Sequence, residues 1–234
     1  PTNMKTTLII AASCAALATT AFGQSNGVLA HWDFVDGSTG SASLYPEDNG
    51  IDCVTPKKIK VEGLSYSWST IDSEDGSRYG ANCFSGWSKN DCVIFDVDFA
   101  NDAVGQIDEI NFDVGNYGGS KTINQVSLRI WKNGTELTSS GQFVKNFSNG
   151  TSSNPWTASS DTSFDVSGLG LNSSAGSDDK FRFAIFVTDS SYSKNSRIAL
   201  DNFRAVGHVD CVPEPSSAAL LGLAGIATLL RRKR

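Results

Sequence analysis

The segment Val93-Ile94-Phe95-Asp96-Val97-Asp98-Phe99 alternates apolar residues at its odd positions with Ile94 and two carboxylates at its even ones. Successive side chains of a strand point to opposite faces, so a period of two marks a sheet with one face in a core and the other toward solvent. Phe181-Arg182-Phe183-Ala184-Ile185-Phe186-Val187 repeats the pattern with arginine and alanine on the second face. These two stretches set the expectation of a half-buried antiparallel sheet.

Short runs of the same kind, each bounded by Gly, Asn, Asp or Ser, cover residues 28–34, 58–62, 64–68, 107–114, 126–132, 142–147, 162–166 and 197–206. No window carries a helical period. Asn133-Gly134 sits between extended runs and predicts a two-residue hairpin. Roughly ten strands with mostly short connections predict an all-β, antiparallel two-sheet sandwich of the jelly-roll kind. Stretches 36–50, 148–160 and 172–179 are rich in Ser, Gly and Asn and are expected to be loops.

The chain has 234 residues with 19 Lys and Arg against 25 Asp and Glu. Lys5 and the four terminal basic residues lie in the end segments, as does Glu214, so the body holds 14 basic and 24 acidic residues and a charge near −10. That balance argues against nucleic acid as a partner, because counterion release needs a cationic surface.

Met4-Lys5, the apolar stretch Leu8 to Ala18 and Ala21-Phe22-Gly23 have the order of a secretory signal peptide over residues 1–23, with Gln24 as the expected mature start. A lipoprotein signal at Cys14 is the weaker reading, because Ala11 stands where a large aliphatic residue is expected. Export makes disulfides the natural use of Cys53, Cys83, Cys92 and Cys211. Closeness in sequence favours Cys83 with Cys92, leaving Cys53 with Cys211, and the other two pairings stay open. The expected organisation is therefore a signal peptide at 1–23, a sandwich domain at 24–211 and a tail at 212–234.

The tail runs Pro213-Glu214-Pro215, then fifteen mostly apolar residues from Ser216 to Leu230, then Arg231-Arg232-Lys233-Arg234. As a helix the apolar part spans roughly 22 Å, short of a hydrocarbon core of roughly 30 Å, which suits a transient hold in the inner membrane. The basic end predicts a cytoplasmic terminus with the domain outside. The prolines interrupt any helix there and leave an extended, cleavable segment. This tripartite string resembles the PEP-CTERM sorting signal. The resemblance implies an exosortase, a membrane cysteine peptidase, as processing partner, and delivery to the envelope, outer surface or exopolysaccharide matrix of a Gram-negative-type bacterium. Leu29 to Phe34 and Arg197 to Gly207 likewise resemble the opening and closing strands of laminin-G-like and carbohydrate-binding jelly rolls.

No string makes a convincing catalytic centre. Glu109, Asn111 and Asp113 would share one face of a strand, in the manner of sandwich-type glucanases, but the central amide cannot act as a carboxylate and the third residue is one methylene short. His31 and His208 are the two histidines, too few for a histidine metal site or a triad that can be named. Calcium is the one candidate cofactor, through Asp72, Glu74 and Asp75 in an acidic turn or through Asp33 and Asp201 where the first and last strands meet. Trp68, Trp87, Trp156, Tyr117 and Tyr192 stand near turns and are the candidate sugar-stacking rings, whereas Trp32 and Trp131 lie within strands and read as core or edge packing. The function expected is that of an exported, non-catalytic surface or matrix protein. The alternative is a glycan-specific carbohydrate-binding module, with or without calcium.

Overall fold

The computed structural model describes residues 24–33, 45–72, 78–85, 87–88, 90–116, 123, 125–139, 141–147, 161–188 and 197–212. The expected signal helix and C-terminal apolar helix lie outside these residues. Among them are fourteen strands and a single 3-10 turn at Ser167–Leu169. The strands are β1 (Gln24–Trp32), β2 (Val54–Pro56), β3 (Lys60–Glu62), β4 (Ser65–Asp72), β5 (Arg78–Ser85), β6 (Cys92–Phe99) and β7 (Ala103–Asn116). They continue as β8 (Gln125–Lys132), β9 (Thr135–Glu136), β10 (Val144–Asn146), β11 (Asp161–Asp165), β12 (Asn172–Ser173), β13 (Asp179–Val187) and β14 (Arg197–Cys211).

They form two antiparallel sheets of seven strands. The first runs β11-β7-β14-β5-β4, with β1 lying along the rest of the β14 edge that β5 starts and β12 on β7. The second runs β10-β8-β13-β6-β2, with β3 beside β2 on β6 and β9 on β8. The two quoted stretches are β6 and β13, central partners in the second sheet, with Phe95 opposite Phe183. Their odd-numbered residues face the first sheet, where Val93, Phe95, Val97, Phe181, Phe183 and Ile185 are all buried.

The interior is knitted by aromatic rings from both sheets. Phe95 stacks on Phe203 at a centroid distance of 3.8 Å, and Trp32 meets both rings edge-on at 5.3 and 5.7 Å. The Trp32 indole N–H would lose water in this position, and it donates to Lys57 O at 2.9 Å. Each such side chain contributes about 1.5–3 kcal/mol by leaving water.

Local chemistry explains where the pattern is kept and where it breaks. Asn133 and Gly134 take φ of 51° and 82°, the left-handed pair of the expected hairpin between β8 and β9. Asn133 also accepts from the Lys180 amide and donates to Asp179, docking the turn on β13. The closing strand extends five residues past its expected end at Val206, because a bulge at Val206/Gly207 breaks the alternation without ending the pairing. At Gly207 a Cβ would stand 2.0 Å from Gln106 O, so the close approach of β7 demands glycine. The expected loop 172–179 contains β12 and the start of β13. Arg78–Ser85 pairs along the whole of β4 although its sequence shows no clear alternation.

Cys53 and Cys211 form a disulfide with Cα atoms 5.6 Å apart across 158 positions of sequence. It ties the approach to β2 in one sheet to the end of β14 in the other. The expected Cys83–Cys92 bridge is not formed: Cys92 is a free, buried thiol. Cys83 lies on β5 in the first sheet, whereas Cys92 lies on β6 in the second, on the face turned away from the first sheet. Closeness in sequence was a poor guide because Cys92 falls on the outer face of β6, away from the sheet that holds Cys83.

Replacing Cys53 and Cys211 by serine should lower the unfolding free energy by about 2–5 kcal/mol, the range for closing a long loop. Urea denaturation of the oxidised protein and the variant checks this; equal midpoints would show that the bond does not constrain the fold.

Candidate functional site

Because the odd residues of β6 and β13 fill the core, their even residues pave the opposite face of the second sheet. Cross-strand register sets them in rows. Asp96, Arg182 and Trp131 lie side by side on β6, β13 and β8, next to a row of Lys60, Ile94, Ala184 and Arg129. Lys57 and Lys58, which lead from β2 to β3, and Gly134 of the hairpin border the same surface. Together they enclose an open groove of about 830 Å³.

A charge cluster organises its floor. Arg182 donates to both Asp96 oxygens, at 2.7 and 3.0 Å, and the Lys60 ammonium approaches Oδ2 at 2.6 Å. Burial alone would raise the Asp96 carboxyl, but these hydrogen bonds outweigh it and hold the group below the usual carboxylate range. The same contact pushes Arg182 upward. Lys57 pairs with Asp98 at 3.2 Å. At the other end Arg129 is clasped by both Glu136 oxygens and lies over the rings of Trp131 and Phe186, 5.2 and 4.9 Å from their centroids. This fixes a half-buried indole at the groove margin. Cys92 is also on the floor, its thiol pushed up to about 12 by burial and by Glu62, which leaves it a poor nucleophile.

The outer face of the first sheet bears Glu109, Asn111 and Asp113, which line a smaller cavity of about 410 Å³. Pairing between β7 and β11 brings Ser163 opposite Asn111, and Ser163 Oγ donates to Glu109. With its amide nitrogen turned to them, Asn111 donates to Glu109 Oε1 at 2.9 Å and to Ser163 Oγ at 3.2 Å. A bulge between Asp201 and Arg204 puts Asn202 at φ 51°, from where it donates to Asp113 Oδ2 at 2.8 Å and accepts from Arg204 at 3.1 Å. His31 faces the same amide at 3.4 Å and contacts Glu47 at 2.7 Å. These groups satisfy one another, which is the hydrogen bonding of a stitched sheet surface.

Several expected site residues fall elsewhere. Trp87 is 1% exposed and belongs to the core, so it offers no ring to a ligand, a correction to its expected role. The Trp68 backbone is in β4 opposite Asn82, while Tyr117, Trp156 and Tyr192 lie outside the described residues. The first and last strands do meet, with Trp32 opposite Phe203, and Asp201 is buried and accepts from the Asn202 amide at 2.8 Å. Asp72 is at the end of β4, and Glu74 and Asp75 are outside the described residues. Among those residues no group of three or more His, Cys, Asp or Glu is placed to hold a metal ion. His208 Nδ1 lies 3.2 Å from Asp108.

Trp131 packs half-buried against the Cys92, Ile94 and Ala184 cluster of the outer face and in addition borders the groove. The signal was present in Val126-Ser127-Leu128-Arg129-Ile130-Trp131, where the even positions are buried and Trp131 falls on the other face.

Residues 212–234 match the PEP-CTERM protein-sorting motif, as the tail's order had led us to expect. No curated protein matches the chain in sequence. Among solved structures it is similar to the enzymatically active domain of tailspike protein 4 from bacteriophage CBA120, at 11% identity and a TM-score of 0.34 over 74% of this chain and 21% of that one. It is also similar to an exo-β-agarase, at 10% identity and 0.36 over 78% and 25%. A third is the family 11 carbohydrate-binding module from Clostridium thermocellum, crystallised with a mixed-linked tetrasaccharide, at 12% identity and 0.28 over 76% and 95%. The chain thus spans a quarter or less of the tailspike and agarase chains.

Asp96→Asn should cost about 1 kcal/mol, since it removes the charge-assisted hydrogen bonds that two half-exposed cations make to a mostly buried carboxylate. A carboxyl whose folded pKa is depressed stabilises above its unfolded value of about 3.9 and loses that contribution as pH falls through the folded value. The variant should therefore lose less stability than the parent on acidification below about pH 4, as read by thermal unfolding across pH. Parallel pH profiles would contradict the pairing.

Proposed function

We propose that this chain is an exported, non-catalytic protein of the cell surface or exopolysaccharide matrix, processed at its tail by an exosortase-type peptidase. The sorting motif at residues 212–234 carries this reading. In the proposed organisation residues 1–23 are removed as a signal peptide, the sandwich spans 24–211, and the tail passes briefly through the inner membrane as an address. A non-catalytic role is supported by the first sheet's Glu109, Asn111 and Asp113, whose polar neighbours occupy them. An enzymatic role would require a glucan hydrolysis that disappears in Glu109→Gln.

Intact-mass analysis of the protein recovered from its own organism tests the sorting step. The expected mature species lacks Leu220 to Arg234. A species that retains them would overturn processing and favour a lasting anchor.

A second reading, that the sandwich binds glycan, is favoured by one observation: the outer groove of the second sheet has Trp131 fixed at its margin by Arg129. Sugar rings present flat C–H faces that stack on indoles beside charged hydrogen-bonding groups. Trp131→Ala should weaken retention on a polysaccharide-containing affinity gel about tenfold, the equivalent of about 1.4 kcal/mol. Unchanged retention would move the binding surface elsewhere.

A further inference from the structure

The groove has the wrong charge for this protein. The body is acidic, at 14 basic against 24 acidic residues, yet five of those basic residues, Lys57, Lys58, Lys60, Lys180 and Arg182, line one groove against three carboxylates, Glu62, Asp96 and Asp98. Lys60 and Arg182 converge on Asp96 with Glu62 close by, and Lys57 pairs with Asp98, so the two surplus charges are those of Lys58 and Lys180. Lys58 lies 5.0 Å over the Tyr45 ring, and Lys180 has no carboxylate partner among the described residues. Both are exposed. A local surplus of cations persists where the surrounding field opposes it.

We propose that the groove selects acidic polysaccharides, chains of sugar rings that bear carboxylate or sulfate groups. The inference rests on the glycan reading above and names the class of glycan. Charge complementarity supplies the selectivity: the ring stacks beside Trp131, and its anionic substituent meets the surplus ammonium groups of Lys58 and Lys180. Arg182 uses two of its nitrogens on Asp96 and remains part-exposed in the lining of the groove. A nucleic acid is the other long polyanion. It fits worse, because the acidic body would repel the duplex or strand on either side of a patch only a few residues across.

The test uses the exported protein with its disulfide intact in affinity electrophoresis against polygalacturonate, dextran sulfate, neutral dextran and mixed-linked glucan, and an oligothymidylate. Retardation by at least one acidic polymer is expected to exceed that by the neutral ones about tenfold, and to fall as sodium chloride rises from about 50 to 500 mM. Polygalacturonate and dextran sulfate separate the carboxylate from the sulfate source. Lys58→Ala with Lys180→Ala should remove about tenfold of the acidic binding, while arginine at both positions restores it. If neutral and acidic chains bind alike and without salt dependence, the acidic preference is wrong and glycan binding stands. If no polysaccharide is retarded, the glycan reading itself falls. Equal or tighter retardation by the oligothymidylate would overturn the choice of ligand class. Because both lysines are exposed, circular dichroism identical to the parent is expected, and the salt series on the unaltered protein tests the proposal independently of the variants.

Discussion

The stacked contact of Phe95 with Phe203, closed by the edge of Trp32, is the constraint on which the rest of the molecule depends. It joins the middle of one sheet to the last strand of the other, and it fixes which side of β6 faces inward. Because the side-chain period of a strand is two, that single choice dictates the opposite face as well. Asp96, Arg182 and Trp131 come to lie in one row because Phe95, Phe183 and Ile130 are committed to the core. The groove is thus a consequence of core packing, and its ion pairs and cation–ring contacts then hold its side chains in place.

The two faces of the sandwich use polar residues differently. On the first sheet, Glu109, Asn111, Asp113, Ser163 and Asn202 are consumed by hydrogen bonds to one another, and the left-handed Asn202 extends that network across a bulge. On the second, cations outnumber carboxylates, and Lys180 stays exposed with no carboxylate partner among the described residues. Mutual satisfaction suits a surface that only has to persist. Incomplete neutralisation leaves one able to attract something else.

Much of the fold was legible because β6, β13 and β8 alternate so regularly, and because Asn133-Gly134 has few conformations open to it other than a tight hairpin. The signal failed where backbone geometry, not side-chain pattern, decides the outcome. Bulges hid the length of β14, and β5 gains its place by pairing with β4 although it lacks alternation. The disulfide followed the same rule, since Cys92 falls on the face of β6 turned away from the sheet that holds Cys83, whereas the packed sheets bring Cys53 and Cys211 to a Cα separation of 5.6 Å. For the site, nearness to a turn misjudged Trp87, which is core, and strand position alone left open which face Trp131 takes, the outer one. A strand residue's role depends on its parity against the core positions, and Val126, Leu128 and Ile130 supplied that parity.

The outer face of the second sheet is the proposed working surface. Hydroxyl-radical footprinting reads this at side-chain level when the exported protein is oxidised alone and then with acidic polysaccharide. Protection concentrated on Trp131 and Phe186, with Tyr45 shielded beside Lys58, is the predicted result. Protection confined to first-sheet residues around His31 and Arg204, or none at all, would contradict it.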